Sequence, residues 1–297
     1  MISNTYKVKI DQLKQRFEEL KDGKQSLLLI LEEAELPELV YNSNAIENST
    51  LTLKETEKIL LEQEVMRDVS VRELYEAKNL ARVVEYLRKK PNYAINQENI
   101  LLLHQMLIGG IDDSIAGRLR GQNEYVRVGS HIAPAPEHLE RLIESLLVEY
   151  NSNFDSYFLE RITKFHLEFE RVHPFCDGNG RIGRVLINLQ LMQFGFPPIV
   201  VRNKGKRQKY YPAFVEYEED KKTDKMGRLL ALSLIESLHK RLAYMQSLRI
   251  VDVADYADTT ERSVNSLLNA ARRQTIPAFR EKGVWKIGLD HACKPDN

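Results

Sequence analysis

Two apolar stripes at helical spacing meet at one polar, glycine-rich stretch, and this junction constrains the fold more than any other feature of the chain. The first stripe is Tyr157, Phe158, Ile162, Phe165, Phe169 and Val172; the second is Ile182, Val185, Leu186, Leu189 and Met192. Both recur with the helical period. Joining them is His173-Pro174-Phe175-Cys176-Asp177-Gly178-Asn179-Gly180-Arg181-Ile182-Gly183-Arg184. Gly178-Asn179-Gly180 can turn tightly, because glycine tolerates positive φ and asparagine tolerates it better than most residues. Such a turn lines up backbone N–H groups into a concave anion site. The helix that follows offers its N-terminal donors and dipole to the same anion. Arg181 and Arg184 stand three apart, so both can converge on one set of phosphates. Asp177 supplies a hard oxygen of the kind magnesium takes together with phosphate oxygens. His173, just before the turn, has a pKa range suited to a general base.

The stretch from His173 to Arg184 resembles the HPFx(D/E)GNGRxxR signature of Fic-domain proteins, with no departure at its diagnostic positions. Most characterised members move AMP from ATP onto a protein hydroxyl and release pyrophosphate. The resemblance implies that His173 is the catalytic base toward a Ser, Thr or Tyr hydroxyl. It implies that Asp177 is the magnesium ligand and that Asp177, Gly178, Asn179, Gly180, Arg181, Ile182, Gly183 and Arg184 form the nucleotide site. Phe175 would anchor the loop, and Cys176, at the variable position, is given no role. His166, on the first stripe, reads as a packed core histidine.

Residues 117–136 alternate apolar and polar side chains and read as a short hairpin. It resembles the family's flap, whose edge binds the target peptide by strand addition. Val128, Gly129, Ser130 and His131 match the part that approaches the nucleotide. Tyr210 resembles the residue lining the adenine side, with ordinary helix packing as the alternative. Ser43-Asn44-Ala45-Ile46-Glu47-Asn48 fits the (S/T)xxxE(G/N) pattern of the family's inhibitory helix. Glu47, with Ser43 and Asn48 around it, would then pair with Arg184 and deny that arginine to the γ-phosphate.

The remainder of the chain sets boundaries. Its 297 residues suggest about two domains. Forty-three Lys+Arg against 43 Asp+Glu give no overall pull toward nucleic acid or anionic lipid. Two cysteines, Cys176 and Cys293, make no disulfide framework. Met1-Ile2-Ser3-Asn4 opens no signal peptide and no apolar run approaches a membrane span, so a soluble cytoplasmic protein without a membrane partner is expected. Asp11–Leu39 and Leu51–Lys89 read as amphipathic helices, with Pro91 as a break, and Gln97–Ile108 as the next helix. The basic run Arg202 to Lys209 reads as a solvated loop.

After Ser247, Val251–Tyr256 and Ser263–Asn269 resemble a helix-turn-helix, followed by a wing over Ile276–Ile287. Residues 249–297 hold eight Lys/Arg against seven Asp/Glu, a net of one positive charge. DNA binding there is open, and dimerisation or target recruitment fits that charge better. The expected fold is mainly α: an N-terminal helical region (1–92) with the inhibitory motif, a Fic helical core with a short β-hairpin flap (93–246), and a small winged-helix-like domain (247–297). The expected function is protein adenylyl transfer with ATP and Mg²⁺, autoinhibited by Glu47. The alternatives are an enzyme that also removes AMP, a transferase using another donor such as UTP, and a DNA-binding regulator with a nucleotide-sensing core. A homodimer is a further partner reading.

Overall fold

The structure, a computed structural model, describes residues 1–65, 69–90, 92–129 and 131–289. Pro91, Ser130 and Cys293 lie outside the described residues. The chain is mainly helical. In order it forms α1 (Asn4–Lys21), α2 (Gln25–Ile46), α3 (Leu53–Glu57), α4 (Val71–Arg88), α5 (Gln97–Ile108), β1 (Arg127–Val128), β2 (His131–Ile132), α6 (Leu139–Ser152), α7 (Phe158–Val172), α8 (Asn179–Gln193), α9 (Tyr211–Asp220), α10 (Asp224–Met245), β3 (Arg249–Asp252), α11 (Val253–Thr259), α12 (Val264–Arg272), β4 (Ala278–Glu281) and β5 (Val284–Leu289). It divides into two compact units, Met1 with Leu36–Leu229 and Ile2–Glu35 with Leu230–Asn297, the division falling within α2 and α10. Among the described residues no helix is long and apolar enough to cross a membrane.

The two long N-terminal helices expected from periodicity are each broken. Asp11–Leu39 parts at Gly23, whose φ of 75° ends α1, and α2 then runs on through Pro37 to Ile46. Leu51–Lys89 parts after a single π-helical turn at Lys58–Glu62, where Gln63 turns left-handed. Each piece carries its own start signal. Thr52 and Glu55 form a reciprocal capping box on α3, and Ser70 accepts the Glu73 N–H at the head of α4. Apolar periodicity does not register such breaks, because the stripe resumes on the far side. The hairpin is likewise shorter than the alternation suggests: only Arg127–Val128 pairs with His131–Ile132.

In the first unit, α7 and α8 form the centre. Phe165, Phe169, Val172, Ile182, Val185, Leu186 and Leu189 pack in one apolar cluster with Leu80 of α4 and Leu103 and Leu107 of α5. Each such side chain contributes about 1.5–3 kcal/mol on burial. Asn79 of α4 donates to the carbonyls of Leu107 (3.0 Å) and Gly109 (2.8 Å), which closes the end of α5 beneath the loop between α7 and α8. In the second unit, β3, β5 and β4 form an antiparallel sheet in that order. Its core is Val253, Ala257, Leu267, Ala271, Ala278 and Ile287.

Candidate active site

The loop after α7 is held by side chains from distant parts of the chain. His173 caps α7 in a left-handed conformation (φ 48°, ψ 62°), uncommon for a residue with a Cβ. Arg120, 3% exposed, holds it there. Its Nε donates to the His173 carbonyl (2.8 Å), while its Nη groups donate to Glu124 O and Pro134 O, each at 2.8 Å. The loop closes on itself through Asn179, whose Oδ1 accepts the Phe175 N–H (2.9 Å) and whose Nδ2 donates to the Phe175 carbonyl (2.8 Å). Phe175 is fully buried and stacks on His104 at 3.7 Å, as an anchor should. His104 Nδ1 accepts the Gly117 N–H (3.0 Å), so its Nε2–H donates to the Asp177 carbonyl (2.9 Å).

His173 Nδ1 donates to the Glu170 carbonyl at 3.2 Å, an assignment that makes Nε2 the acceptor. Burial is the main influence on this imidazole and pushes its pKa down to about 4, so it is neutral at pH 7. Glu170, one turn earlier on α7, is the opposite case. Burial pushes its carboxyl up to about 8, and its Oε1 has no hydrogen-bond partner.

Gly178 adopts φ 82°, and a Cβ there would stand 3.0 Å from Ile108 Cδ1, so the turn requires glycine on two grounds. It opens directly into the N-terminus of α8. At that N-terminus lies Glu47. Its Oε1 is so close to Gly180 that a Cβ there would be 2.1 Å away, and it accepts from Arg184 Nη2 at 2.8 Å. Arg184 also donates through Nε to Ser43 Oγ and through Nη2 to Ser43 O, each at 2.9 Å. Its Nη1 reaches Tyr210 OH at 3.4 Å. The carboxylate thus occupies the place the turn and helix dipole prepare for an anion.

Asp177 Oδ1 accepts from Arg181 Nη2 (3.0 Å) and its Oδ2 from Arg72. Burial alone would raise the Asp177 pKa, but Arg181 and Arg72 hold it below the ordinary carboxylate value. Arg181 is 2% exposed and also meets Glu76 at 3.1 Å. Among the described residues no group of three His, Cys, Asp or Glu side chains gathers as a ready-made metal cage.

Two assigned residues turn elsewhere. Ile182 packs in the core, and Gly183 lies against Glu170 and His166, which lets α7 and α8 approach closely. Tyr210 is buried with its OH 2.9 Å from His166 Nε2, so it both packs in the core and meets Arg184. Val128 is exposed on the flap, and Gly129 turns it with φ 61°. His131 Nε2 meets the Arg171 carbonyl at 2.9 Å, two residues before His173. Asn48 faces Lys206. Its Oδ1 accepts from Lys206 Nζ at 3.0 Å, and the same ammonium donates to the carbonyls of Ala45 (2.7 Å) and Ile46 (2.9 Å).

Sequence reasoning did not find Arg120, His104, Arg72, Glu76 or Lys206. His104 left one trace, a titratable side chain on the apolar face of α5. The others act across long sequence separations that no local pattern records.

An anion site at a helix N-terminus, a neutral histidine at its entrance and a short hairpin nearby define a helical fold whose own carboxylate fills that site. Residues 94–191 match the model of the Fic/DOC family. It is similar to protein adenylyltransferase fic-1 of Caenorhabditis briggsae, at 34% identity over 178 residues that cover 58% of this chain and 34% of the relative. Across the curated relatives it matches, the chain spans about a third to a half of their length. Among solved structures, Fic-1 (residues 134–508) from C. elegans superposes with a TM-score of 0.69 at 25% identity, covering 82% of this chain and 73% of that one. A Fic domain containing signaling protein from Bacteroides thetaiotaomicron gives a TM-score of 0.72 at 23% identity, covering 80% and 97%, a likeness of fold.

Proposed function

We propose that this chain is a protein adenylyltransferase, moving AMP from ATP to a Ser, Thr or Tyr hydroxyl of a target protein, and that Glu47 restrains it. The observation that carries the reading is the Glu47 carboxylate on Arg184 and against Gly180, an internal anion where a phosphate would lie. The N-terminus of α8, Arg181 and Arg184 would hold the triphosphate once Glu47 withdraws. His173 Nε2 would take the hydroxyl proton as the oxygen attacks the α-phosphorus and the bond to pyrophosphate breaks. Positioning and charge neutralisation would contribute most of the acceleration, with the base adding to it.

The donor set fits a magnesium ion in one respect. Asp177 offers a partly exposed carboxylate beside the α8 N-terminus, and magnesium commonly takes one or two carboxylates with phosphate oxygens and water. When bound, the cation would neutralise phosphate charge. The exposed flap edge would receive the target chain by strand addition.

The test is transfer of label from α-phosphate-labelled ATP, comparing the parent protein with Glu47→Gly and His173→Ala in the Glu47→Gly background. Glu47→Gly is expected to raise labelling by at least about tenfold, the worth of one charge-assisted hydrogen bond. His173→Ala should abolish it while ATP binding persists. Equal labelling of all three proteins would overturn the roles of both residues.

A further inference from the structure

Three arginines converge on the loop, and Arg72 has no part in the reading above. It is the second residue of α4, where a cation meets the positive end of the helix dipole. It precedes Glu76 by four residues, the less favourable polarity for an ion pair along a helix. Helix stability therefore does not account for it. Its guanidinium instead reaches out of the helix. Nε donates to Glu76 Oε1 at 3.1 Å, and Nη2 donates to Asp177 Oδ2.

Arg181 completes a ring of alternating charge, meeting Glu76 Oε1 at 3.1 Å and Asp177 Oδ1 at 3.0 Å. The two arginines are not equivalent. The Arg181 side chain is 3% exposed and built into the fold, whereas that of Arg72 is 58% exposed at the surface. They also divide the carboxylate. Arg181 and the Gly178 amide take Oδ1, and Arg72 takes Oδ2.

We infer that Arg72 stands in for the divalent cation on Asp177 and is displaced when that cation enters with the nucleotide. The inference rests on the nucleotide reading of this site and adds a second restraint to it. Glu47 places an anion where phosphate would lie, and Arg72 places a cation where the metal would lie. The two restraints share a structural link. Glu73, next to Arg72, accepts from Thr50 N (2.6 Å), Thr50 Oγ1 (2.9 Å) and Ser49 Oγ (3.3 Å), on the chain leaving the Glu47 segment. Movement of that segment therefore pulls on the turn that carries Arg72.

The test measures ATP affinity by calorimetry, with and without Mg²⁺, for Glu47→Gly alone and with Arg72→Gln or Arg72→Lys added. Removing the competing cation should tighten Mg²⁺-dependent binding by about fivefold, the upper range for a partly exposed ion pair. Without Mg²⁺, Arg72→Gln should weaken binding, because the bared Asp177 charge repels phosphate. The ratio of the two affinities therefore rises, and Arg72→Lys, which keeps the charge, stays near the parent ratio. Equal losses with and without Mg²⁺, accompanied by a lower Tm, would make Arg72 a structural prop and overturn the inference. An unchanged ratio would overturn it too. If Glu47→Gly binds no ATP under either condition, the nucleotide reading itself fails and takes the inference with it.

Discussion

At the scale of single residues, the loop depends on side chains whose work is to satisfy backbone. Arg120 answers the carbonyls of His173, Glu124 and Pro134 from a buried position, and no other described side chain donates to all three. Arg120→Ala should leave these acceptors unpaired and cost about 2–4 kcal/mol in denaturant unfolding. Arg120→Lys should recover little, since an ammonium lacks the planar fork that spans the three sites. A cost below about 0.5 kcal/mol would show that water replaces the guanidinium without loss. His173 carries a second expectation. Its pKa is pushed down to about 4, mainly by burial, so the base form persists well below the ordinary 6.5. The acidic limb of the Glu47→Gly transfer rate should therefore fall toward pH 4. A midpoint near 6.5 would mean that the ring titrates in water, outside the enclosure seen here.

At the scale of elements, the end of α2 is clasped from outside. Lys206 Nζ gathers the carbonyls of Ala45 and Ile46, and Tyr211 OH donates to Ile46 O at 2.8 Å. The Ala45 carbonyl also accepts the Asn48 N–H at 3.2 Å, and a cation at a helix C-terminus is favoured by the dipole. Lys206→Met should loosen the segment carrying Glu47 without altering the cradle, so ATP affinity should rise part of the way toward that of Glu47→Gly. No change in affinity would mean that the pairing with Arg184 alone fixes the segment. The sequence made α7, the turn and α8 legible because their signals are local: two stripes at one period, and a glycine, Gly178, where φ is positive. It also placed Glu47 near Arg184, through motif resemblance rather than through periodicity. The basic run Arg202 to Lys209 did not read as part of the site. Its charges look solvated in one dimension, yet Lys206 meets a helix end about 160 residues earlier, and Arg202 pairs with Glu38. The breaks at Gly23 and Gln63 were hidden for the converse reason, since an interrupted stripe keeps its period.

At the scale of the whole molecule, buried titratable groups set the pH at which the fold is most stable. Burial pushes His104, His173 and His239 down to about 4 and His166 to about 3. Between about pH 4 and 6.5 the unfolded chain binds protons at these four positions and the native chain does not. Stability therefore rises with pH across that window and is lost on acidification. Glu170 acts in the other direction. Its carboxyl, raised to about 8, keeps a proton in the native chain that the unfolded chain releases above the ordinary 4.5. This group withdraws stability as pH rises from there through 8. Below pH 6.5 four histidines outweigh one carboxyl, and above it Glu170 acts without them. The Tm should thus climb by several degrees from pH 4.5 to 6.5 and then decline toward pH 8. Glu170→Gln, which copies the protonated shape but cannot ionise, should flatten the decline and leave the acidic limb in place. If the alkaline slope survives in that variant, the carboxyl is ionised in the native chain, and another group must be found to stabilise a second anion beside Glu47.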